Sequence, residues 1–229
     1  MKKFHKIKKI IPANSTNNVY SSKKIFNVSR KDHNISMEKI LNNIKSFCKN
    51  KRIIVIGNSS DVLKIKNVRS IIEGHDIIVR MNWAVPTKTH HLNLLGNKTD
   101  IYVVGISNQK LSHMLIAESK SKYVLRLNPH GESLNSHICY SETKESYDEI
   151  KKEFSDYKPS TGCLAIKFFK DHIDYSELTI IGFSFFKNES ENSVQKNEFR
   201  SFKHKDHNTD LEESYILKQL DERTKIIML

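Results

Sequence analysis

The chain has 229 residues, of which 38% are hydrophobic and 28% charged, and it carries a formal net charge of +12. This length suits one domain with a buried core, and the composition excludes a wholly disordered chain. No apolar run approaches the roughly 20 residues of a membrane-spanning helix, and the start MKKFHKIKKIIP lacks the apolar stretch of a signal peptide. We therefore expect a cytoplasmic protein whose three cysteines, which show no C-x-x-C spacing, are reduced thiols.

Residues 1–35 are rich in lysine and arginine and contain a single acidic residue, Asp32. We predict a basic N-terminal arm over 1–35 and one folded domain over 36–229. The arm is either a solvated tail or a segment attracted to an anionic partner, such as an acidic membrane surface or a charged substrate. Net charge alone would also suit nucleic acid, but the sequence has no nucleic-acid-binding motif, so we expect no such partner.

Beyond the arm, the spacing of apolar residues changes between helical and strand patterns. Ile40, Leu41, Ile44 and Phe47 recur at helical spacing and predict an amphipathic helix that begins near Met37. Short apolar runs rich in Ile and Val then predict strands that are covered on both faces. The predicted strands are residues 53–56, 77–79, 101–104, 123–127 and 178–181, with a sixth candidate at 226–229.

Helical patterns separate several of these strands. They cover residues 111–117, 147–154, 163–172 and 212–220. The alternation of strands and helices predicts an α/β fold with a mainly parallel sheet and helices on both faces. Ligands of such folds bind at the carboxyl ends of the strands, so we expect the residues of a site at those ends.

The first two strands end in polar residues. The first ends in Gly57, Asn58 and Ser59, where glycine permits a close backbone approach and the polar side chains can bind a ribose or a phosphate. The second continues into Arg80 and Asn82, and the amide of Asn82 would lie beside that of Asn58 if the strands are neighbours. An ordinary strand-to-helix turn, or simple capping of the second strand, would explain the same residues.

A second polar segment, Ser160-Thr161-Gly162, precedes the helix predicted at 163–172. Ser160 or Thr161 is a good N-cap, and the free N–H groups of a helix start bind anions. Without other evidence, a plain capped helix explains the segment equally well. The strand that follows ends in another glycine, Gly182, with Phe183 and Ser184 after it.

A third segment contains His207 just before a predicted helix. Thr209 and Glu212 match the S/T-x-x-E capping box, which places His207 near the positive end of the helix dipole. That end disfavours a protonated ring, and a neutral imidazole can act as a general base. The alternatives are a surface histidine and a metal site with His204, but H-x-x-H without a third ligand is a weak signal, so we expect no metal.

In this order, the three segments resemble the motifs of the sialyltransferase family known as glycosyltransferase family 29. Residues 53–99, with GNSS, IIVRMNWAVP and LGNKTD, resemble the large sialylmotif. Residues 159–184, with PSTG and IIGFS, resemble the small sialylmotif, and His207-x-x-x-x-Glu212 resembles the very small motif. Animal members have a membrane anchor and a disulfide between the two larger motifs. This sequence shows neither feature, so it resembles a soluble member of bacterial type.

The resemblance implies a Rossmann-like glycosyltransferase fold, a variant of the A type, with a catalytic domain over 36–229. It implies that Asn58 and Asn82 hold cytidine monophosphate (CMP), and Asp61 lies where many members place another donor-contacting Asn. His207 would be the general base, Glu212 its supporting acidic residue, and His204 a further candidate of the family's third motif. The other donor-binding residues that it implies are Gly57, Ser59, Ser160, Thr161, Gly162, Gly182, Phe183 and Ser184.

The function implied by the resemblance is transfer of a sialic acid, or a related keto-sugar acid such as Kdo, from a CMP-activated donor to a hydroxyl of a glycan or glycolipid acceptor. The reaction would invert the anomeric carbon and need no metal and no cofactor, because the CMP-sugar is itself a substrate. A lipooligosaccharide is an acceptor of this kind, and the basic arm would hold the enzyme at the anionic inner membrane face. The alternative is a nucleotide-binding module of the same fold that has lost turnover.

Overall fold

The structure is a computed structural model, and it describes residues 36–86, 88–105, 109–129, 139–185 and 207–227. The predicted basic arm at 1–35 and His204 lie outside the described residues. Within the described part of the chain, no helix combines the length and the apolar character needed to cross a membrane.

The centre of the fold is a seven-stranded sheet in which every neighbouring pair of strands is parallel. The strand order is β5-β4-β3-β2-β1-β6-β7. The strands are β1 (Arg52–Ile56), β2 (Ile77–Met81), β3 (Ile101–Val104), β4 (Tyr123–Arg126), β5 (Cys139–Ser141), β6 (Glu177–Ile181) and β7 (Thr224–Ile227).

Seven α-helices connect or flank the strands in the described residues. They are α1 (Met37–Cys48), α2 (Val68–Glu73), α3 (Thr89–Leu95), α4 (Gln109–Ser119), α5 (Lys144–Glu153), α6 (Thr161–His172) and α7 (Thr209–Lys218). There are two short 3₁₀ helices in the described residues: Ser60–Lys64 follows the turn after β1, and Asn82–Ala84 follows β2 directly.

Both faces of the sheet are covered, as the continuous Ile and Val runs predicted. On one face, α1, α5 and α6 pack against β1 to β5 through Ile44, Val55, Val79, Val103, Tyr147 and Phe168. On the other face, two clusters involve α2, α3 and α4 and include Ile54, Ile72, Ile78, Leu95, Tyr102, Val104, Leu115 and Val124. The prediction of an α/β fold with a parallel sheet and helices on both faces is confirmed.

Among the strands and α-helices of the described residues, the sequence prediction missed β5, α2 and α3. Each has seven residues or fewer, which is too short to display a clear period. The C-terminal strand runs over Thr224–Ile227, two residues earlier than predicted at its start. The other predicted strands and helices match observed elements, with shifts of a few residues at their ends.

Arg80, near the end of β2, is fully buried and fixes the segment that follows this strand. Its guanidinium donates hydrogen bonds to the backbone carbonyl oxygens of Lys98, Ala84, Leu95 and Gly96 over distances of 2.6 to 3.4 Å. Burial lowers the pKa of Arg80 to about 10, so the group stays charged at neutral pH. The sequence left open a capping role for Arg80, and these bonds give it a structural one.

The strand order also fixes where a ligand can bind. From β1 the chain builds outward to β5 on one side, and it then returns to place β6 on the other side of β1. This reversal is a topological switch point, and ligands of open parallel sheets bind at the carboxyl ends of the strands there. The loops after β1 and β6 are therefore the natural centre of a binding site.

Candidate functional site

The turns that follow β1 and β6 are packed directly against each other. Gly57 donates its N–H to Ile181 at 2.8 Å, and Ser59 donates its N–H to the carbonyl oxygen of Gly182 at 3.0 Å. A side chain at Gly57 would collide with the backbone of Gly182, which itself has a φ of 73°. Both glycines are required by this contact, since it brings the two backbones together at the switch point.

Asn58 lies in this turn with an unsatisfied polar atom. Its side-chain oxygen Oδ1 is buried and accepts no hydrogen bond in the part of the chain that the structure describes. A buried acceptor without a donor costs free energy in the absence of a ligand. Asn58 Oδ1 is therefore an atom that a ligand hydroxyl or amino group could satisfy.

Ser59 and Asp61 bind each other at the start of the short 3₁₀ helix. The hydroxyl of Ser59 accepts from the N–H of Asp61 and donates to its carboxylate, both at 3.2 Å. The carboxylate also pairs with Lys64 at 2.8 Å. These bonds hold the turn after β1 in shape, and both residues remain predictions as donor contacts.

Asn82 begins the segment after β2 with a φ of 44°, a left-handed conformation that asparagine tolerates. Its side-chain oxygen accepts from the N–H of Gly105 at 2.7 Å, and its carbonyl oxygen accepts from the hydroxyl of Tyr102 at 3.0 Å. The sequence predicted that Asn82 lies beside Asn58 on the condition that the two strands are neighbours. β1 and β2 are neighbours, so Asn58 and Asn82 follow adjacent strands at one edge of the sheet.

Helix α6 points its N-terminus at this same edge. Ser160 is the N-cap, and its hydroxyl accepts from the N–H of Cys163 at 3.3 Å. Gly105, after β3, lies so close to Thr161 that any side chain at 105 would collide with the Thr161 hydroxyl. Among the described residues, the N–H groups of Thr161 and Gly162 have no recorded acceptor, which leaves two donors for an anion.

Phe183 fills the space between the glycine turns and α6. An added Cβ at Gly57 or at Gly162 would meet the Phe183 ring at 2.9 or 2.5 Å. The ring therefore packs against both segments and holds α6 at the turn after β1. Ser184 follows it and is half-buried at the same edge.

His207 lies beside this helix start although it is far away in the sequence. Its ring nitrogen Nδ1 lies 2.6 Å from the carbonyl oxygen of Lys158. A carbonyl oxygen only accepts hydrogen bonds, so Nδ1 carries the proton in this pair. The lone pair of a neutral His207 ring is then on Nε2, the tautomer in which Nε2 can accept a proton.

Glu212 joins His207 to the start of α6. The carboxylate is buried, and its Oε1 accepts from the N–H of Ser160 at 2.8 Å across 52 residues of sequence. The same oxygen lies 3.4 Å from Nδ1 of His207. A negative charge at this distance orients the ring and stabilises its protonated form.

The predicted capping box of α7 is wrong, because the N-cap is Asn208 and not Thr209. The side chain of Asn208 accepts from the N–H of Leu211 at 3.0 Å. Glu212 is consequently released from a capping role and reaches the Ser160 N–H instead. His207 still lies just before the start of the helix, as the sequence predicted.

The structure thus links most of the predicted site residues at one edge of the sheet. The glycine turns carry Asn58, the Gly105 contact connects Asn82 to Thr161, and Glu212 connects Ser160 to His207. Gly105 was missed by the sequence analysis, although the run IYVVG ends in the same strand-terminal glycine as the runs before Gly57 and Gly182.

No protein-family model and no curated protein matches the chain by sequence. Among solved structures, it is similar to a crystal structure of a mammalian sialyltransferase, with a TM-score of 0.51 and 16% identity over 94% of this chain and 86% of that chain.

It is also similar to a mammalian sialyltransferase in complex with Gal-beta-1-3GalNAc-ortho-nitrophenol, with a TM-score of 0.50 and 15% identity over 86% of this chain and 80% of that chain. At these identities the likeness concerns the fold. The chain has the Rossmann-like α/β fold that these sialyltransferase structures have.

Proposed function

We propose that this protein is a glycosyltransferase that moves a sialic acid, or a related keto-sugar acid such as Kdo, from a CMP-activated donor to a hydroxyl of a glycan acceptor. The observation that carries the proposal is the junction of His207, Glu212 and Ser160 at the N-terminus of α6. The fold shared with the two sialyltransferase structures supports it.

The donor would bind at the switch point between β1 and β6. Its phosphate suits the start of α6, where the N–H groups of Thr161 and Gly162 and the positive end of the helix dipole favour an anion. The nucleoside suits the turn after β1, where the buried Oδ1 of Asn58 lacks a donor among the described residues. The cytosine amino group and the ribose hydroxyls are donors of the required kind.

The reaction is a single displacement. The acceptor oxygen forms a bond to the anomeric carbon while the bond from that carbon to the CMP phosphate oxygen breaks. The electron pair of the broken bond stays on the departing CMP, whose added charge the start of α6 stabilises. His207 takes the proton of the acceptor hydroxyl on Nε2, and a displacement of this kind inverts the anomeric carbon.

Glu212 supports both halves of this reaction. Its Oε1 holds the N–H of Ser160, which fixes the start of the helix that would hold the phosphate. The same oxygen lies beside Nδ1 of His207, so its charge stabilises the ring once Nε2 has accepted the proton. One buried carboxylate would therefore keep the base and the phosphate site at a fixed separation.

The acceptor and the cellular setting form part of the same proposal. One of the similar structures contains Gal-beta-1-3GalNAc-ortho-nitrophenol, so we propose a glycan acceptor and this compound as the first one to test. We further propose a cytoplasmic enzyme whose basic arm binds anionic lipid. Sedimentation with anionic vesicles, with and without residues 1–35, tests the arm, and equal binding by both chains would contradict its role.

A transfer assay with matched histidine variants tests the proposal. CMP-sialic acid and CMP-Kdo are each incubated with the acceptor, and the released CMP and the extended acceptor are measured by mass spectrometry. His207→Ala should reduce turnover about 10²–10⁴-fold, the usual contribution of a general base. His90→Ala, which alters an exposed histidine of α3, should retain the activity of the unchanged protein.

Calorimetry with CMP separates the remaining outcomes. CMP binding without transfer of either sugar to any acceptor would identify a nucleotide-binding module without turnover. The proposal also includes independence from divalent metal, because the N–H groups of Thr161 and Gly162 are assigned to the phosphate. Transfer that survives an excess of EDTA is the expected result, and transfer restored only by added Mg²⁺ or Mn²⁺ would contradict this part.

A further inference from the structure

Arg126, the last residue of β4, is a second buried arginine, and its surroundings differ from those of Arg80. It is 5% exposed, and its Nε is buried without a hydrogen-bond partner. Within the described ranges, the structure records no hydrogen bond and no ion pair for its guanidinium. Arg80 instead donates to backbone carbonyl oxygens on several sides.

A buried guanidinium without acceptors is costly for a protein that gains nothing from it. Removing a charge from water carries a free-energy penalty unless an opposite charge or hydrogen bonds compensate for it. Burial lowers the pKa of Arg126, yet arginine keeps its proton at neutral pH. The planar group presents a fork of N–H donors that matches a carboxylate or a phosphate.

Arg126 lies at the same edge of the sheet as the candidate site. In the strand register it lies beside Val104 of β3 and Ser141 of β5. Val104 is followed by Gly105, the residue that contacts Thr161 and donates to Asn82. One strand therefore separates the backbone of Arg126 from the residues at the start of α6.

The surroundings of Arg126 would strengthen a pairing with an anion. Alternation along β4 places it on the same face as Val124, which packs with Val104 and Cys139 in one apolar cluster. Apolar neighbours lower the local dielectric constant, so an ion pair formed here is stronger than one at an exposed site. The hydroxyl of Ser141, opposite Arg126 in the register, is a further possible donor.

We propose that Arg126 binds a carboxylate of the substrate at the ends of β4 and β5. The inference rests on the proposed function and deepens it, because it names the residue that recognises the acid group of the sugar. The carboxylate belongs either to the donor sugar or to an acidic residue of the acceptor glycan. Both sources present the same planar anion to the guanidinium.

The test compares Arg126→Met with Arg69→Met, which alters an exposed arginine of α2. Calorimetry measures the dissociation constants of CMP and of CMP-sialic acid for the full chain and for both variants. If the donor supplies the carboxylate, Arg126→Met weakens CMP-sialic acid about 10–100-fold and changes CMP less than about twofold. Arg69→Met should change neither constant.

The acceptor source gives a different pattern. Arg126→Met would then leave both dissociation constants unchanged but raise the KM of an acceptor that ends in sialic acid, without raising that of a neutral acceptor. Unchanged values for the donor and for both acceptors would overturn the inference. An equal loss of affinity for CMP and CMP-sialic acid would overturn it as well, because that pattern indicates a general disturbance.

A further measurement does not depend on CMP binding. Free N-acetylneuraminic acid at millimolar concentration should raise the melting temperature of the full chain, whereas its methyl ester should not, and the acid should not stabilise Arg126→Met. This result with no CMP binding would contradict the proposed function and leave the carboxylate site in place. Absence of any difference between acid and ester would overturn the site.

Arg126→Lys, which keeps the charge and loses the fork, replaces the methionine variant if that variant does not fold.

Discussion

The carboxyl edge of the sheet contains buried polar groups of two kinds. After β2, the chain itself satisfies the guanidinium of Arg80, which binds carbonyl oxygens from the segments around α3. After β1 and within β4, Asn58 Oδ1 and Arg126 Nε are equally buried but find no partner among the described residues. Groups of the first kind hold the fold together, and groups of the second kind are available to a ligand.

Replacing Arg80 is expected to have the largest effect on stability. Arg80→Met should lower the free energy of unfolding by about 3–6 kcal/mol, because several buried carbonyl oxygens lose a charged donor at once. Urea denaturation, followed by circular dichroism, measures the change. A loss below about 1 kcal/mol would show that these hydrogen bonds do not stabilise the segment after β2.

Glu212 tests whether satisfied groups also serve the reaction. Glu212→Gln keeps an oxygen for the Ser160 N–H but removes the charge beside His207, so the fold should survive. We expect turnover to fall about 10–100-fold, and the acidic limb of the rate profile to move to lower pH because the protonated ring loses its anionic neighbour. An unchanged pH–rate profile would assign Glu212 a structural role only. Glu213→Gln, one residue along α7, is the control.

Replacing Asn58 tests whether a buried polar atom without a hydrogen-bond partner among the described residues binds a ligand. Asn58→Ala should weaken CMP binding about tenfold, the value of one or two hydrogen bonds, and should change stability by less than about 1 kcal/mol. Calorimetry with CMP and urea denaturation measure the two quantities, with the exposed Asn97→Ala as control. A large loss of stability together with unchanged CMP binding would reverse the assignment.

The smallest effect is expected for the stability of Arg126→Met without ligand. Replacing an unpartnered buried charge by an apolar side chain of similar length should leave stability unchanged or raise it by about 1 kcal/mol. The same urea denaturation experiment compares the free energy of unfolding of Arg126→Met with that of Arg80→Met. A loss as large as that of Arg80→Met would mean that the chain itself satisfies Arg126.

The sequence predicted the features that local patterns determine. Continuous Ile and Val runs identified the long strands, and glycines at strand ends identified the turns after β1 and β6. The strand Cys139–Ser141 was missed because three residues of mixed polarity carry too little signal.

Contacts between distant segments could not be predicted from the residues alone. Asn208 and Thr209 are both good N-caps, so the local sequence does not decide between them. The N–H of Ser160, which binds Glu212 in place of a capping contact, lies 52 residues earlier. Arg126 ends an ordinary run, YVLR, and only the fold reveals that its guanidinium is buried without an acceptor among the described residues.

We propose that this chain transfers a sugar from a CMP-activated donor with His207 as base. The most direct test incubates CMP-sialic acid and a galactose-terminated acceptor with the full chain and with His207→Ala, and follows the mass of the acceptor. We expect the full chain to add one sialic acid to the acceptor and the variant to do so at least about 100-fold more slowly. Equal transfer rates for the two proteins would contradict it.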